Sequence, residues 1–218
     1  MKKKSHSFYL TLALFSRTIF LLVLLCLTVQ LPAQNLKYEI RAIGLNLGNA
    51  YAGRKIVGSE VHYTMDSQVN VKLWFTDYII QYNSEAIYEK DILKSCHVLA
   101  KVNDKIKEEI FIKKVATGYS VTRTEDDKTD HWILNDREIH FSTSKLFWHK
   151  PENGNKSLAE NYGIICSTSH TKNPAERIVY DEKTKSKTVY TYQGVRPIKR
   201  MVEYPVVNFY MTLIEELP

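Results

Sequence analysis

"EVHYTMDSQVNVKLWF", residues 60–75, alternates apolar and polar side chains over most of its length. In its second half Val69, Val71, Leu73 and Phe75 face one way, and Gln68, Asn70, Lys72 and Trp74 face the other. A period of two marks a strand with one buried face. Just before it, Val57, Val61, Tyr63 and Met65 alternate with Gly58, Glu60, His62 and Thr64. Asp66-Ser67 between the two runs is a turn dipeptide, so together they read as a hairpin.

The same style continues outward in both directions. Tyr82, Ser84, Ala86 and Tyr88 share a face, and "EKD" (89–91) turns into "ILKSCHVLA". "VNDK" (102–105) turns into "IKEEIFI", and "TGYSVTR" leads through the charged tip "TEDDKTD" (124–130) to "HWIL". Five further strand candidates follow: "GIICSTSH", "ERIVYDE", "SKTVYTYQG", "IKRMVEYP" and "VVNFYMTLIEE". Between the halves, "STSKLFWHKP" (142–151) opens with Ser/Thr cap residues, carries Leu146 and Phe147, and stops at Pro151. That order predicts a short helix. Many even strands joined by hairpins must curl to protect their edges. The fold expected is mainly β: one curved antiparallel sheet, or half-open barrel, of about ten strands, with one short helix packed at its mouth. The 14 tyrosines fall largely on strands, where aromatic side chains fit the pleated surface.

The first 33 residues have the order of a secretory signal. Lys2, Lys3 and Lys4 precede an apolar run from Thr18 to Val29, and "LPAQ" supplies Pro32 and small residues at the exit. A spanning helix needs about 20 apolar residues, and reaching that length would place Arg17 mid-membrane, at a cost of roughly 2.5–3.5 kcal/mol. A cleaved signal peptide over 1–33 is expected, cut between Ala33 and Gln34. It leaves one exported β domain over 34–218, without a transmembrane segment. Cys26 follows Leu25 and lies inside the apolar run, so it reads as an ordinary residue of the signal and not as a lipid attachment site. Removing four basic residues lowers the formal net charge from +6 to +2. The basic pI is therefore partly a property of the signal, and nucleic acid is not an expected partner.

Several segments in this order resemble a family of small exported bacterial β-proteins of the Bacteroidetes kind, classed as a domain of unknown function. They are the opening strand "YEIRAIGL", the strands over 56–65 and 69–82, "YEKDIL", "KVNDKIKEE", and "STSKLFWHKPENG" with "ENYG" after it. The closing "KTVYTYQGVRPIKRMVEYPVVNFYMTL" completes the likeness. "LNLGNAYAGRKIVG" (45–58) departs from the family's short Gly-containing turn and reads as an insertion. The resemblance implies an extended antiparallel sheet around a helix. It implies no activity and no catalytic residues.

Chemistry-bearing motifs are sparse. His62, His97, His131, His140, His149 and His170 fall at none of the paired spacings that metal sites use. The nearest thing to a cluster is His131 and His140 with Asp130 and Asp136. "EDDKTD" lacks the spacing of a calcium loop, and no nucleophile elbow, zinc-helix motif or phosphate loop occurs. No enzyme activity, cofactor or metal is expected. The aromatic residues Trp74, Tyr78, Tyr82, Phe147 and Trp148 are the expected ligand-binding set, because a concave sheet lined by them suits an apolar small molecule or lipid. Leu146, Phe147 and Trp148 would otherwise fill that concavity themselves. In either case a periplasmic or secreted protein of the cell envelope is expected; in the second, its sheet edge or insertion loop docks a protein partner, marked by an exposed aromatic patch near Tyr51. Cys96 and Cys166 sit in apolar strand contexts and read as two buried free thiols.

Overall fold

The computed structural model describes residues 34–73, 76–182, 185–203 and 207–217. The signal-peptide assignment, Cys26 and Trp74 therefore lie outside the described residues. Eight strands come first: β1 (Gln34–Ala42), β2 (Leu45–Val57), β3 (Glu60–Leu73), β4 (Thr76–Glu89), β5 (Ile92–Val102), β6 (Lys105–Val115), β7 (Gly118–Glu125) and β8 (Lys128–Leu134). Six follow a crossover: β9 (Lys156–Ala159), β10 (Ile164–His170), β11 (Glu176–Tyr180), β12 (Lys187–Gln193), β13 (Arg196–Glu203) and β14 (Phe209–Leu217). All fourteen belong to one antiparallel sheet, ordered β8 through β1, then β14 down to β9. Two meanders are thus joined where the first strand meets the last, with Ile40 opposite Met211. Tyr38 fastens this join by donating its hydroxyl to the Pro197 carbonyl at 2.8 Å.

Local chemistry explains the turns. Lys90-Asp91, Asn103-Asp104 and Asp126-Asp127 all have positive φ at both residues, the geometry of the two-residue hairpin turn whose twist matches the flanking strands. Asn and Asp tolerate that region best among side-chain-bearing residues. Register shifts at Ile40/Arg41, Ile87/Tyr88, Ala100/Lys101 and Thr191/Tyr192 act as bulges that raise twist and curl the sheet.

The sheet does not close by a strand ladder between its edges β8 and β9. Side chains and the crossover bridge them instead. Trp132 Nε1 donates to the Gly163 carbonyl at 3.0 Å, and Lys156 reaches Asp136 at 2.7 Å. Residues 141–143 run along β9, with Leu158 N–H donating to Phe141 O and Thr143 N–H to Leu158 O.

Three expectations are corrected. Among the described residues fourteen strands stand where about ten were expected, partly because residues 45–57 of the stretch read as an insertion form β2. The four-residue β9 is also too short to show alternation. The Asp66-Ser67 hairpin is absent: β3 runs straight through, with Ala52 opposite Met65 and Tyr51 opposite Asp66, and the turn falls earlier at Gly58-Ser59. Nor does a helix pack at the mouth. Lys145–Phe147 is a three-residue 3-10 turn without a side-chain cap. Ser144, expected to cap it, is engaged by Glu160 instead, and the flanking backbone is held extended by Leu158.

The core lies on the inner face, and it is filled partly by the crossover. Leu36, Tyr38, Tyr63, Met65, Tyr88, Val98, Ile110 and Val121 from the sheet pack with Ile139, Phe147, Trp148 and Leu158. Tyrosines serve here as apolar bodies with a polar tip. Tyr119 donates to Leu93 O and Tyr192 to Leu146 O, tying strands to their neighbours.

Cys96 and Cys166 are both buried and unbridged. Burial pushes the Cys96 thiol well above its ordinary value, and the Cys166 thiol up to about 12, with Asp181 adding to the shift. Thiolate is the reactive form, so both should resist a thiol reagent in the folded protein. Two equivalents should react after denaturation without reductant; none would show a disulfide.

Candidate functional site

Three of the five expected ligand-binding residues are brought together on the inner face. Phe147 is 0% exposed and meets the rings of Tyr38 and Tyr190 edge-on at 5.1 and 6.2 Å. Trp148, 5% exposed, belongs to the same cluster, and Tyr82 packs half-buried against it. The Trp148 indole nitrogen is buried without a hydrogen-bond partner. Tyr78 sits apart on β4, and Trp74 lies outside the described residues.

A polar network runs through this inner face that sequence reading missed. Glu160 is 0% exposed. It accepts from the Ser144 backbone N–H at 2.8 Å and from the Ser144 hydroxyl at 2.7 Å. With that hydrogen committed, Ser84 on β4 donates to Ser144 Oγ at 2.7 Å. Beside this chain, the buried Lys145 ammonium pairs with Asp91 and lies 4.4 Å from the Tyr88 ring centroid. Nothing in the linear pattern marks Glu160, because its partner Ser144 lies on the crossover and is itself bonded to Ser84 of β4.

His149 titrates against this group. Its Nε2 lies 2.9 Å from the Tyr63 hydroxyl. Burial, then the charges of Lys145 and Arg54, push the imidazole below its ordinary value, with Asp91 opposing. The unfolded chain thus takes up a proton near pH 6.5 that the folded chain refuses. Stability present above that pH is lost as pH falls through the window between the two values. The melting midpoint should drop between pH 7.5 and 5.5, and His149→Gln should flatten that part of the profile. Glu60 and Asp126, whose carboxyls are pulled down by Lys94 and Lys107, act only at lower pH. An unchanged slope in the variant would remove His149 from this role.

The outer face carries a groove of about 510 Å³ across β2 to β5. Opposed residues on paired strands share a face, and two cross-strand rows line it. One row is Asn49, Gln68, Gln81 and Lys101; the other is Tyr51, Asp66 and Asn83. Asn83 donates to Asp66 Oδ1 at 2.6 Å, and the Lys37 ammonium lies 6.0 Å from the Tyr51 ring centroid. Gly48 makes the groove's floor possible, since a Cβ there would lie 2.0 Å from the Gln68 carbonyl oxygen. Tyr51 is 40% exposed. A second groove of about 340 Å³ shares Gln68 and Asn70 and extends to Ile79, which stands opposite Asn70 and is 42% exposed; Tyr78 also borders it but stands opposite Val71, on the parity of the inner face. Beyond the end of β2's pairing at Gly48 opposite Val69, β3 and β4 continue as a projecting ribbon. The signal for this site lay in plain view as the polar parity of β3, where Asp66, Gln68 and Asn70 alternate with Ser67, Val69 and Val71.

His131 bonds Thr122, and His140 reaches the Asp91 carbonyl. Among the described residues, no group of three or more His, Cys, Asp or Glu side chains is placed to hold a metal ion. No helix among them is long and apolar enough to cross a membrane.

Fold and site together define an all-antiparallel, single-sheet β protein packed through by its own crossover, with an open polar groove outside. The chain belongs to the family described as a domain of unknown function (DUF6134), whose model matches residues 38–204. No curated protein and no solved structure matches it.

Proposed function

We propose that this is an exported, non-enzymatic protein of the cell envelope that binds its partner on the outer face of the sheet, around Tyr51 and the β3–β4 ribbon. The mature domain is taken as residues 34–218 after removal of the signal peptide over 1–33, and its place is periplasmic or secreted. The observation that carries the reading is the contrast between the faces. Phe147, Trp148 and Leu158 occupy the inner face, while Tyr51 and Ile79 stand open beside two grooves on the outer face. Exposed aromatic side chains beside convergent polar groups are a common basis of recognition.

The test is co-sedimentation of the mature protein with envelope fragments from its own cells. Wild type should pellet, and the double variant Tyr51→Ala/Ile79→Ala should stay in the supernatant at an unchanged melting midpoint. A folded double variant that pellets like wild type would overturn the reading. A second reading keeps one supporting observation. An apolar small molecule or lipid held by Tyr82, Phe147 and Trp148 would give the unpartnered Trp148 N–H an acceptor. Native mass spectrometry of protein purified from the envelope separates the two: a stoichiometric apolar adduct favours the second.

A further inference from the structure

Side-chain chemistry in the outer groove narrows the partner's class, given the outer-face reading above. Five of its lining residues are carboxamides: Asn49, Gln68, Asn70, Gln81 and Asn83. The single aromatic ring is Tyr51, and the only charged groups are Asp66 and Lys101, opposite in sign. Elsewhere the same outer face is a lattice of ionisable side chains, with Lys94 paired to Glu60 and with Glu85 and Glu109 hydrogen-bonded to His62 and His97. The lattice gives way to planar, mostly neutral amides where the groove begins.

Three occupants can be compared by chemistry. Apolar ligands sit in sites lined mainly by hydrophobic side chains, and no large aliphatic residue lines this groove. Protein interface cores are depleted in charge and enriched in several aromatic residues, Met and Arg, whereas this groove holds one ring. Polyanions need a run of basic side chains, and only Lys101 lines it. Carboxamides and a carboxylate, by contrast, present donors and acceptors side by side in a plane. That spacing matches two neighbouring hydroxyls on a sugar ring, and the C–H face of the ring can lie on an exposed aromatic side chain.

The rows are spaced to use this. Strands lie about 4.8 Å apart, and residues two apart on one strand about 7 Å. Tyr51 thus stands one row from Asn49 and Gln68 and directly opposite Asp66, with Asn83 beyond it. The Asn83–Asp66 bond fixes both planes and uses one of the carboxylate's two oxygens. The second groove prolongs the track through Gln68 and Asn70 toward Ile79, opposite Asn70, so the site is open along the ribbon and accepts a chain, not a single ring.

We infer that the outer groove of β2 to β5 is a glycan-binding site. It takes a neutral polysaccharide bearing vicinal hydroxyls, with a sugar ring stacked on Tyr51 and its hydroxyls bonded by Asp66, Asn83, Gln68 and Gln81.

The experiment uses the mature protein and envelope fragments treated beforehand with periodate, which cleaves vicinal diols, or with proteinase K. Periodate should abolish co-sedimentation and proteinase K should leave it intact. Tyr51→Ala and Asn83→Ala should each weaken binding about tenfold, and Tyr51→Phe, which keeps the ring, should lose less than Tyr51→Ala. Loss of binding after proteinase K, or retention after periodate, overturns the glycan assignment. If binding still depends on Tyr51 and Ile79 in that case, the outer-face reading stands. If the double variant binds like wild type, both fail. Melting midpoints of every variant separate lost binding from lost folding.

Discussion

Replacing Phe147 with alanine is expected to lower the unfolding free energy by about 3–5 kcal/mol, the range for removing a large aromatic side chain from a packed core. Phe147 is fully buried among Tyr38, Tyr190 and Arg200, and its edge-on contacts with the two tyrosines add to simple burial. These partners come from β1, β12 and β13. The change therefore weakens the place where the crossover is pinned to the join between the two meanders. Chemical denaturation followed by tryptophan fluorescence measures it. A loss below about 1 kcal/mol would mean that residues 145–148 are not packed into the inner face.

Glu160→Ala comes second, at about 3 kcal/mol. Each hydrogen bond to a charged group contributes roughly 1.5–3 kcal/mol, and this carboxylate accepts two from Ser144. Its loss also leaves a buried Ser144 N–H without its acceptor. Glu160→Gln keeps the shape and one acceptor oxygen, so its cost should be smaller. Equal losses in the two variants would place the effect in the charge, and no loss in either would dissolve the network. The same denaturation experiment reads both.

The turns of this fold were readable because their chemistry is local. "EKD", "VNDK" and "TEDDKTD" end where Lys90-Asp91, Asn103-Asp104 and Asp126-Asp127 adopt positive φ, and the last five strand candidates correspond to β10 through β14. The error at Asp66-Ser67 was avoidable. A two-residue turn there sets Met65 opposite Gln68, and opposed residues share a face, so Gln68 would point inward and Val69 outward. The apolar parity instead runs unbroken through Tyr63, Met65, Val69 and Val71, which suits only a continuous strand. Gly58-Ser59, with Gly58 at a φ of +60°, was the turn.

The crossover was misread for the opposite reason. Ser142, Thr143 and Ser144 are good helix caps taken alone, yet Glu160 and Leu158, distant in sequence, claim Ser144's N–H and hydroxyl and Thr143's N–H. Tertiary partners overrode a local signal. For the site, the aromatic residues drew notice by size, and size correlates with burial: Phe147 and Trp148 proved to be core. The groove's carboxamides carry no motif, and they became a group only once β2, β3, β4 and β5 set Asn49, Gln68 and Gln81 in one row.

The most direct measurement is hydroxyl-radical footprinting of the mature protein with and without its native envelope fragments. Exposed rings oxidise and buried ones do not, so Tyr51 should be modified in the free protein and protected when the envelope is present. Phe147 and Trp148 should stay unmodified in both conditions. Unprotected Tyr51 in the bound state, with oxidation at Phe147 or Trp148 that changes on binding, would contradict an outer-face site.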